Sequence, residues 1–428
     1  MTRELALEIV RTLQREGHET VWAGGCVRDL LLGRQPEDYD VATAATPEQV
    51  RAVFGKRRTL AVGEAFGVVI VLGRRDERGV PQVEVATFRS DGQYSDGRRP
   101  DAVAFCSAAE DAKRRDFTIN ALFLDPVAGH DVRSGVIDHV GGLADFDARV
   151  IRAVGNAGQR FEEDRLRMLR AARFAQRLGG DYGFVLETQT RTAIEANAAA
   201  IGVVSWERIT QELTKMLAHP SRAAGFGLLR DMGLLRQLLP EVREDALHLL
   251  GLLGEVNAEP VEMAASLATL FRGVPIGSRR DSESDATAHG VLARMRVSNA
   301  LRDRVVHLLR SVDAIRRPDL PLAEAKPLLA RDDADALLAF ARALDACDGQ
   351  VGGSERWADY RGRTPPEQLD PPPLLVGADL IAAGLRPGPA FKDWLAATRA
   401  AQLNETIATR DEAMAMLRQL VGQATRDG

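Results

Sequence analysis

Between Gly24 and Thr43 the chain reads GGCVRDLLLGRQPEDYDVAT, and no other stretch narrows the possible folds so far. A Gly-Gly turn, Gly24-Gly25, is followed by an Asp-x-Asp pair, Asp38 and Asp40. In a strand, residues i and i+2 point to the same face, so this pair sets two carboxylates on one side of a sheet. Two carboxylates aimed at one point suit a hard cation that keeps water and substrate phosphates in its shell, as Mg²⁺ does in phosphoryl-transfer sites. The glycines upstream let backbone N–H groups approach a phosphate closely, as an anion-binding nest does. Either element alone is ordinary loop chemistry. Together in one string they read as a metal-dependent nucleotide site.

The rest of the chain sets the frame for that site. Its 428 residues predict about two to four domains. A hydrophobic share of 45% and a charged share of 27% are those of a globular protein that buries a real core. No apolar run is long enough for a membrane span. The first residues, MTRELALEIVRTLQREG, place Leu5, Ile9, Val10 and Leu13 at helical spacing, the pattern of an amphipathic helix rather than a signal peptide. Three scattered cysteines, Cys26, Cys106 and Cys347, argue against a disulfide framework and a zinc site, and point to a reducing cytoplasm. The net charge of −5 does not advertise nucleic-acid binding. Clustered basic residues still permit it on one face. Such clusters occur at Lys56-Arg57-Arg58, Arg98-Arg99 and Lys113-Arg114-Arg115, and as six arginines from Arg160 to Arg177.

Along the chain, residues 1–145 alternate short helical and strand-like stretches, with strands expected over 62–73 and 80–88. Residues 150–270 read as successive helices. The polar stretch 273–290 reads as a loop or linker and 349–373 as a further break, with helices to the end. The fold class is therefore α+β, an α/β head on a long all-α body. No internal repeat is visible.

Four further constellations bear on chemistry. In strand 80–88, Glu84 alternates with Val83 and Val85, so it faces away from them and is a candidate third catalytic carboxylate, ligating or orienting a metal. The charged, Gly-containing stretch 87–105 reads as a mobile loop with Arg89, Tyr94, Asp96 and Arg98 as its levers. In KRRDFTINALFLD, residues 113–125, the arginines offer forked donors for phosphate. There Asp116 and Asn120, four apart, share a face if the segment is helical. The fourth is IRAVGNAGQRFEEDRLRMLRAARFAQRLG, residues 151–179, helical from Phe161, where Asp164 and Arg167 are i, i+3 neighbours and Arg170 follows. A carboxylate accepts from an exocyclic amine and a guanidinium donates to a ring nitrogen. One Asp/Arg pair can thus accept both cytosine and adenine while rejecting uracil and guanine.

These strings together resemble the class II nucleotidyltransferases, which comprise the tRNA CCA-adding enzymes and the bacterial poly(A) polymerases. The resemblance is strong over 20–180 and weak over 240–350. It implies a polymerase-β-like nucleotidyltransferase head at 1–148 and a helical neck at 149–242. A helical body at 243–372 and a tRNA-binding tail at 373–428 would complete the chain. It implies Mg²⁺ on Asp38 and Asp40, with Gly24, Gly25 and Arg28 around the triphosphate. Arg115, Asp116 and Asn120 would contact sugar and triphosphate, and Asp164 and Arg167, with Arg170 beside them, the nucleotide. It also implies that the loop around Tyr94 is the one needed to switch to the final A. Poly(A) polymerases of this family tend to carry a basic residue before the Phe and a His-Val pair in the strand reading EAFGVVIV here, at 64–71. Their absence favours addition of CCA to tRNA from CTP and ATP, by a monomer or homodimer. The alternatives are an A-adding specialist, a poly(A) polymerase, and an inactive RNA-binding protein on the same scaffold. No His/Asp cluster of a phosphohydrolase is present, and His130-Asp131 reads as structural.

Overall fold

The computed structural model describes residues 2–60, 67–74, 79–91, 103–128, 130–256, 263–278, 286–350 and 352–424. The chain divides into two compact units, Met1–Pro240 and Glu241–Gly428.

The first unit opens with α1 (Thr2–Arg15), whose Leu5, Ile9, Val10 and Leu13 are all buried. Next come β1 (Thr20–Ala23), α2 (Gly25–Leu31), β2 (Asp40–Thr43), α3 (Pro47–Phe54), β3 (Thr59–Leu60), β4 (Val68–Leu72) and β5 (Gln82–Thr87). A small ribbon of β6 (Arg89–Asp91) and β7 (Val103–Phe105) precedes α4 (Ala108–Lys113), β8 (Phe123–Leu124) and β9 (Val136–Ile137). The main sheet has seven strands in the order β3-β4-β5-β2-β1-β8-β9. All its neighbours pair antiparallel except β2 and β5.

Alternation of side chains divides the sheet into two faces. On one face Trp22, Tyr39, Val41, Val69, Val71, Val83 and Val85 pack with the apolar side of α1. On the other, Val21, Ala23, Ala42 and Phe123 pack with Phe88 and with Ala108 and Ala112 of α4. Tyr39 is buried, and its ring meets Trp22 edge-on with centroids 4.8 Å apart. This fixes the register that turns Asp40 and Ala42 to the α4 side.

Residues 113–125 do not continue as a helix. A capping box between Ser107 and Glu110 starts α4, which ends at Lys113. The chain then bends through Asp116 into a 3₁₀ turn, Thr118–Asn120, and enters β8. Phe117, Ile119, Leu122 and Phe123 are all fully buried, and the Thr118 N–H donates to the Arg152 carbonyl at 2.9 Å. Partners on several sides, not one helical stripe, set this path.

The first unit continues with α5 (Gly142–Asp147) and β10 (Val150–Ile151) and then α6 (Ala157–Glu163). After it come α7 (Leu166–Tyr182), β11 (Val185–Leu186), α8 (Thr188–Asn197), α9 (Trp206–Leu217), α10 (Arg222–Asp231) and α11 (Leu234–Leu238). The helix expected from Phe161 onward is broken at Asp164, which is extended at φ −145°. Its carboxylate accepts the Leu166 N–H at 3.1 Å and so starts α7 afresh.

In the second unit α12 (Asp245–Val256), α13 (Met263–Leu270), α14 (Ala288–Arg294), α15 (Asn299–Ile315), α16 (Leu322–Leu329) and α17 (Ala334–Cys347) are followed by α18 (Gly353–Arg363) and α19 (Pro366–Leu369). The last three, α20 (Gly377–Ala382), α21 (Ala390–Leu403) and α22 (Arg410–Ala424), share a small core around Leu380 and Leu417. Two expected breaks are partly helical. Thr287 caps α14 inside the stretch 273–290. Within 349–373, Trp357 is fully buried in α18 and donates to the Arg317 carbonyl at 3.2 Å. Among the described residues, no helix is long and apolar enough to cross a membrane.

Candidate active site

One cleft of about 540 Å³ in the first unit is lined by Gly24, Gly25, Arg28, Asp40, Arg115, Asp116, Asn120, Asp164, Arg167 and Arg170. These are ten of the residues expected to carry the chemistry, and they come from segments far apart in sequence. A larger cavity of about 1020 Å³ lies in the second unit between α17 and α18–α19. It holds none of the expected site residues.

At the floor of the cleft, β1 runs out through Gly24 into α2. Gly24 has φ +74°, and a Cβ there would stand 3.1 Å from Arg115 Nη1, so the close approach of backbone and guanidinium needs a glycine. Ala23 pairs with Asp40 across the sheet, which brings the Gly-Gly turn beside the acidic pair. Asp38 lies just before β2 rather than within it, and both aspartates reach solvent. In β5, Val83 and Val85 are buried while Glu84 is exposed on the opposite face. The parallel register, Val41 against Val85, carries Glu84 alongside Asp40.

The three carboxylates feel one another. Asp40 titrates above the ordinary aspartate range, first because the protein crowds out its water, and next because Glu84 and Asp38 add negative charge; Arg115 opposes the rise. A divalent cation would relieve that repulsion, so the donor set fits one. Among the described residues, no group of three or more His, Cys, Asp and Glu is arranged to enclose a metal by itself. A cation held here would take further ligands from water and phosphate oxygens. Cys26, beside the turn, donates to the Ala23 carbonyl, and burial pushes its thiol up to about 12, so it is a packing residue.

The wall above is built of arginines held in place. Arg28 is buried and donates to Asn120 Oδ1 at 2.6 Å and to Asp29 Oδ1 at 2.7 Å. Arg114 and Arg115 are gripped from behind by Asp111, buried in α4, whose two carboxylate oxygens accept from both guanidinium groups at 2.7–3.1 Å. Burial opposes ionisation of Asp111, but the two arginines prevail and hold it below the usual range. Asp116 accepts from Arg170 at 2.6 Å and from Asn120 Nδ2 at 3.3 Å. Asp116 and Asn120 are therefore neighbours, through a bend and 3₁₀ turn rather than a helix face.

Asp164 and Arg167 are adjacent in the cleft, yet their side chains are not each other's partners. Asp164 is held by both arms of Arg208 on α9, at 2.7 and 3.1 Å. Arg167 donates to Glu163 at 2.9 Å and to the Arg114 carbonyl at 2.8 Å. Phe174 stands behind them, its ring under three guanidinium carbons: Arg28 at 5.2 Å, Arg170 at 5.5 Å and Arg173 at 4.3 Å. Arg173 is itself bound to the buried Glu212 at 2.5 Å.

Sequence reasoning missed Asp111, Phe174, Arg208 and Glu212. Asp111 was accessible to it, since it stands three and four residues before Arg114 and Arg115 on one helix face. The others are distant in sequence from what they hold. Of the loop levers, Tyr94, Asp96 and Arg98 lie outside the described residues. Arg89 is in β6, where its backbone N–H donates to Asp111 Oδ1 at 3.3 Å.

The Poly A polymerase head domain family matches residues 20–152. A second family, "Probable RNA and SrmB- binding site of polymerase A", matches 183–245. A CCA-adding enzyme from Geobacillus thermodenitrificans (strain NG80-2) is 46% identical over 54% of the chain and 53% of its own length. The chain thus spans about half the length of the first curated relatives it matches. The CCA-adding enzyme of Lactiplantibacillus plantarum is 35% identical over 73% of the chain and 71% of its own length. Among solved structures, the Bacillus stearothermophilus CCA-adding enzyme in complex with CTP superposes with a TM-score of 0.76 at 29% identity, covering 98% of both chains. The Thermotoga maritima CCA-adding enzyme complexed with tRNA, at 19% identity and a TM-score of 0.66 over 98% of this chain and 95% of that one, shares the fold.

Proposed function

The chain belongs to the CCA-adding enzyme family, and from that premise we propose that it adds CCA to the 3′ ends of tRNA, using CTP and ATP with Mg²⁺. The observation that carries the proposal is the single cleft, in which the glycine turn, Asp40, the arginine wall, Asp164 and Arg167 face one space.

In the reaction the RNA 3′-hydroxyl gives up its proton to water, its oxygen bonds to the α-phosphorus, the bond from that phosphorus to the oxygen bridging to the β-phosphate breaks, and pyrophosphate leaves. Asp38 and Asp40 would hold the metal, with Glu84 beside Asp40. When bound, such an ion stabilises charge on the attacking and leaving oxygens. The chain's own groups do the positioning. The backbone N–H of Gly25, with Arg28 behind it, receives the triphosphate, while the Gly24 N–H is held by the Leu122 carbonyl at 3.1 Å. Arg115 and Arg114, kept rigid by Asp111, add fixed positive charge where negative charge develops, at little reorganisation cost. Asn120 and Asp116 flank the sugar. Asp164 and Arg167 read the pairing edge of cytosine or adenine, which requires each to turn from its present partner toward the base.

The test uses tRNA transcripts ending before the first C or after the second C, with each labelled nucleotide supplied separately. Stepwise C, C and A incorporation that then stops is the expected result. Adenylation of the CC-ended transcript alone would make it an A-adding specialist, and long A tails on any RNA a poly(A) polymerase. Asp40→Ala is expected to lower incorporation at least about a thousandfold. Unchanged incorporation by that variant would refute the assignment.

A further inference from the structure

Eight arginines line the cleft. Seven of them are committed to a carboxylate within the protein. The eighth is Arg177 on α7. It is half-buried, and among the described residues its guanidinium has no hydrogen-bond or ion-pair partner. Asp181, one turn on, is exposed and does not pair with it.

Three guanidinium groups and one carboxylate share its surroundings: Asp181, Arg177, Arg222 and Arg34 all bear on His219, the carboxylate most strongly. Arg34, just after α2, is half-buried, and among the described residues its guanidinium has no hydrogen-bond or ion-pair partner. Arg222 is 4% exposed, and its Nη1 is buried with nothing to donate to. The turn that carries His219 and Arg222 is fastened next to Arg177: His219 Nδ1 and Ser221 Oγ are 2.7 Å apart, and Ser221 Oγ donates to the Gln176 carbonyl at 3.4 Å. Unpaired guanidinium groups gathered at one place with one buried orphan donor are costly unless an anion joins them.

We propose that Arg177 forms a phosphate-binding site where the cleft lining on α7 ends. It rests on the nucleotidyltransferase reading for the identity of its ligand, which is a phosphate of one of the two substrates. Ten residues of helix separate Arg177 from Arg167, about 15 Å along the axis, so Arg177 does not reach a base held by Arg167. A planar fork with free donors matches two phosphate oxygens at once. The source is either the terminal phosphate of the incoming nucleotide or the backbone of the RNA strand.

The experiment measures direct binding of tripolyphosphate, CTP and tRNA to the full chain, wild type, Arg177→Gln and Arg177→Lys, across a salt series. Arg177→Gln should weaken at least one ligand about tenfold, with partial recovery in Arg177→Lys. Loss confined to tripolyphosphate and CTP identifies the nucleotide's terminal phosphate. Loss confined to tRNA, with a salt slope smaller by about 0.7, identifies the RNA backbone. Unchanged affinity for all three ligands in both variants, with melting curves like the wild type, overturns the site. The tripolyphosphate and tRNA arms need no turnover, so a protein that fails to extend tRNA would refute the function separately.

Discussion

At the scale of single residues, the site depends on groups that never meet the substrate. Gly24 permits the backbone conformation and leaves room for Arg115. Gly24→Ala introduces strain of about 1–3 kcal/mol at the point where the triphosphate docks. It should therefore raise the KM for CTP and ATP about tenfold or more, with a small change in melting temperature, read from initial rates on CC-ended and unextended transcripts. Asp111 anchors two arginines from inside the protein. Asp111→Asn should cost about 3 kcal/mol in denaturant unfolding and weaken nucleotide binding with it. Its carboxyl titrates below the ordinary value of about 3.9 in the folded state. The folded protein then binds fewer protons than the unfolded chain, and the stabilisation is complete above that ordinary value and fades as pH falls through the folded one. Melting temperatures of wild type and Asp111→Asn should converge on acidification; a constant gap down to acid unfolding would contradict the anchoring role.

At the scale of elements, the break between α6 and α7 matters most. Asp164 sits at the break, ends one helix, caps the next and is clamped by Arg208 from α9. Arg208→Ala leaves a half-buried carboxylate without its partner, at about 1–3 kcal/mol. It should also loosen base choice, seen as UTP or GTP incorporation rising relative to CTP and ATP. Retained discrimination with lost stability would restrict Arg208 to a structural role. The elements that sequence could anticipate are those whose cause is local. The apolar stripe of α1, the alternation of Val83, Glu84 and Val85, and the Gly-Gly/Asp-x-Asp string all carry their explanation within a dozen residues. The break at Asp164 does not, since EEDRLRML is sound helix sequence and only Arg208, far along the chain, shows what competes. Phe117 to Phe123 likewise lack a helical stripe because neighbours on all sides bury them. The site was legible as a set of motifs, whereas the partners that hold it rigid were legible only where helical spacing joined them, as for Asp111.

At the scale of the whole molecule, every described residue assigned to nucleotide chemistry falls in the unit ending at Pro240. A fragment ending there should unfold cooperatively and bind CTP in the presence of Mg²⁺ with an affinity within a few-fold of the intact chain. It should lose most of its activity on tRNA, because the helical tail is the proposed tRNA-binding part. Full activity of the fragment on tRNA would remove that role from the second unit.

The parallel pairing of β2 with β5 has a consequence in time as well as in space. Its antiparallel neighbours can grow from local turns, but Val41 meets Val85 only after the intervening chain has crossed over and closed. Asp40 and Glu84 are thus brought side by side by a non-local strand contact, one whose closure entropy is spent before any pairing rewards it. During refolding, the acidic pair should form late, after α1 has collapsed onto the early strands. A newly made chain would then pass through its most vulnerable stage without the ability to bind metal or nucleotide.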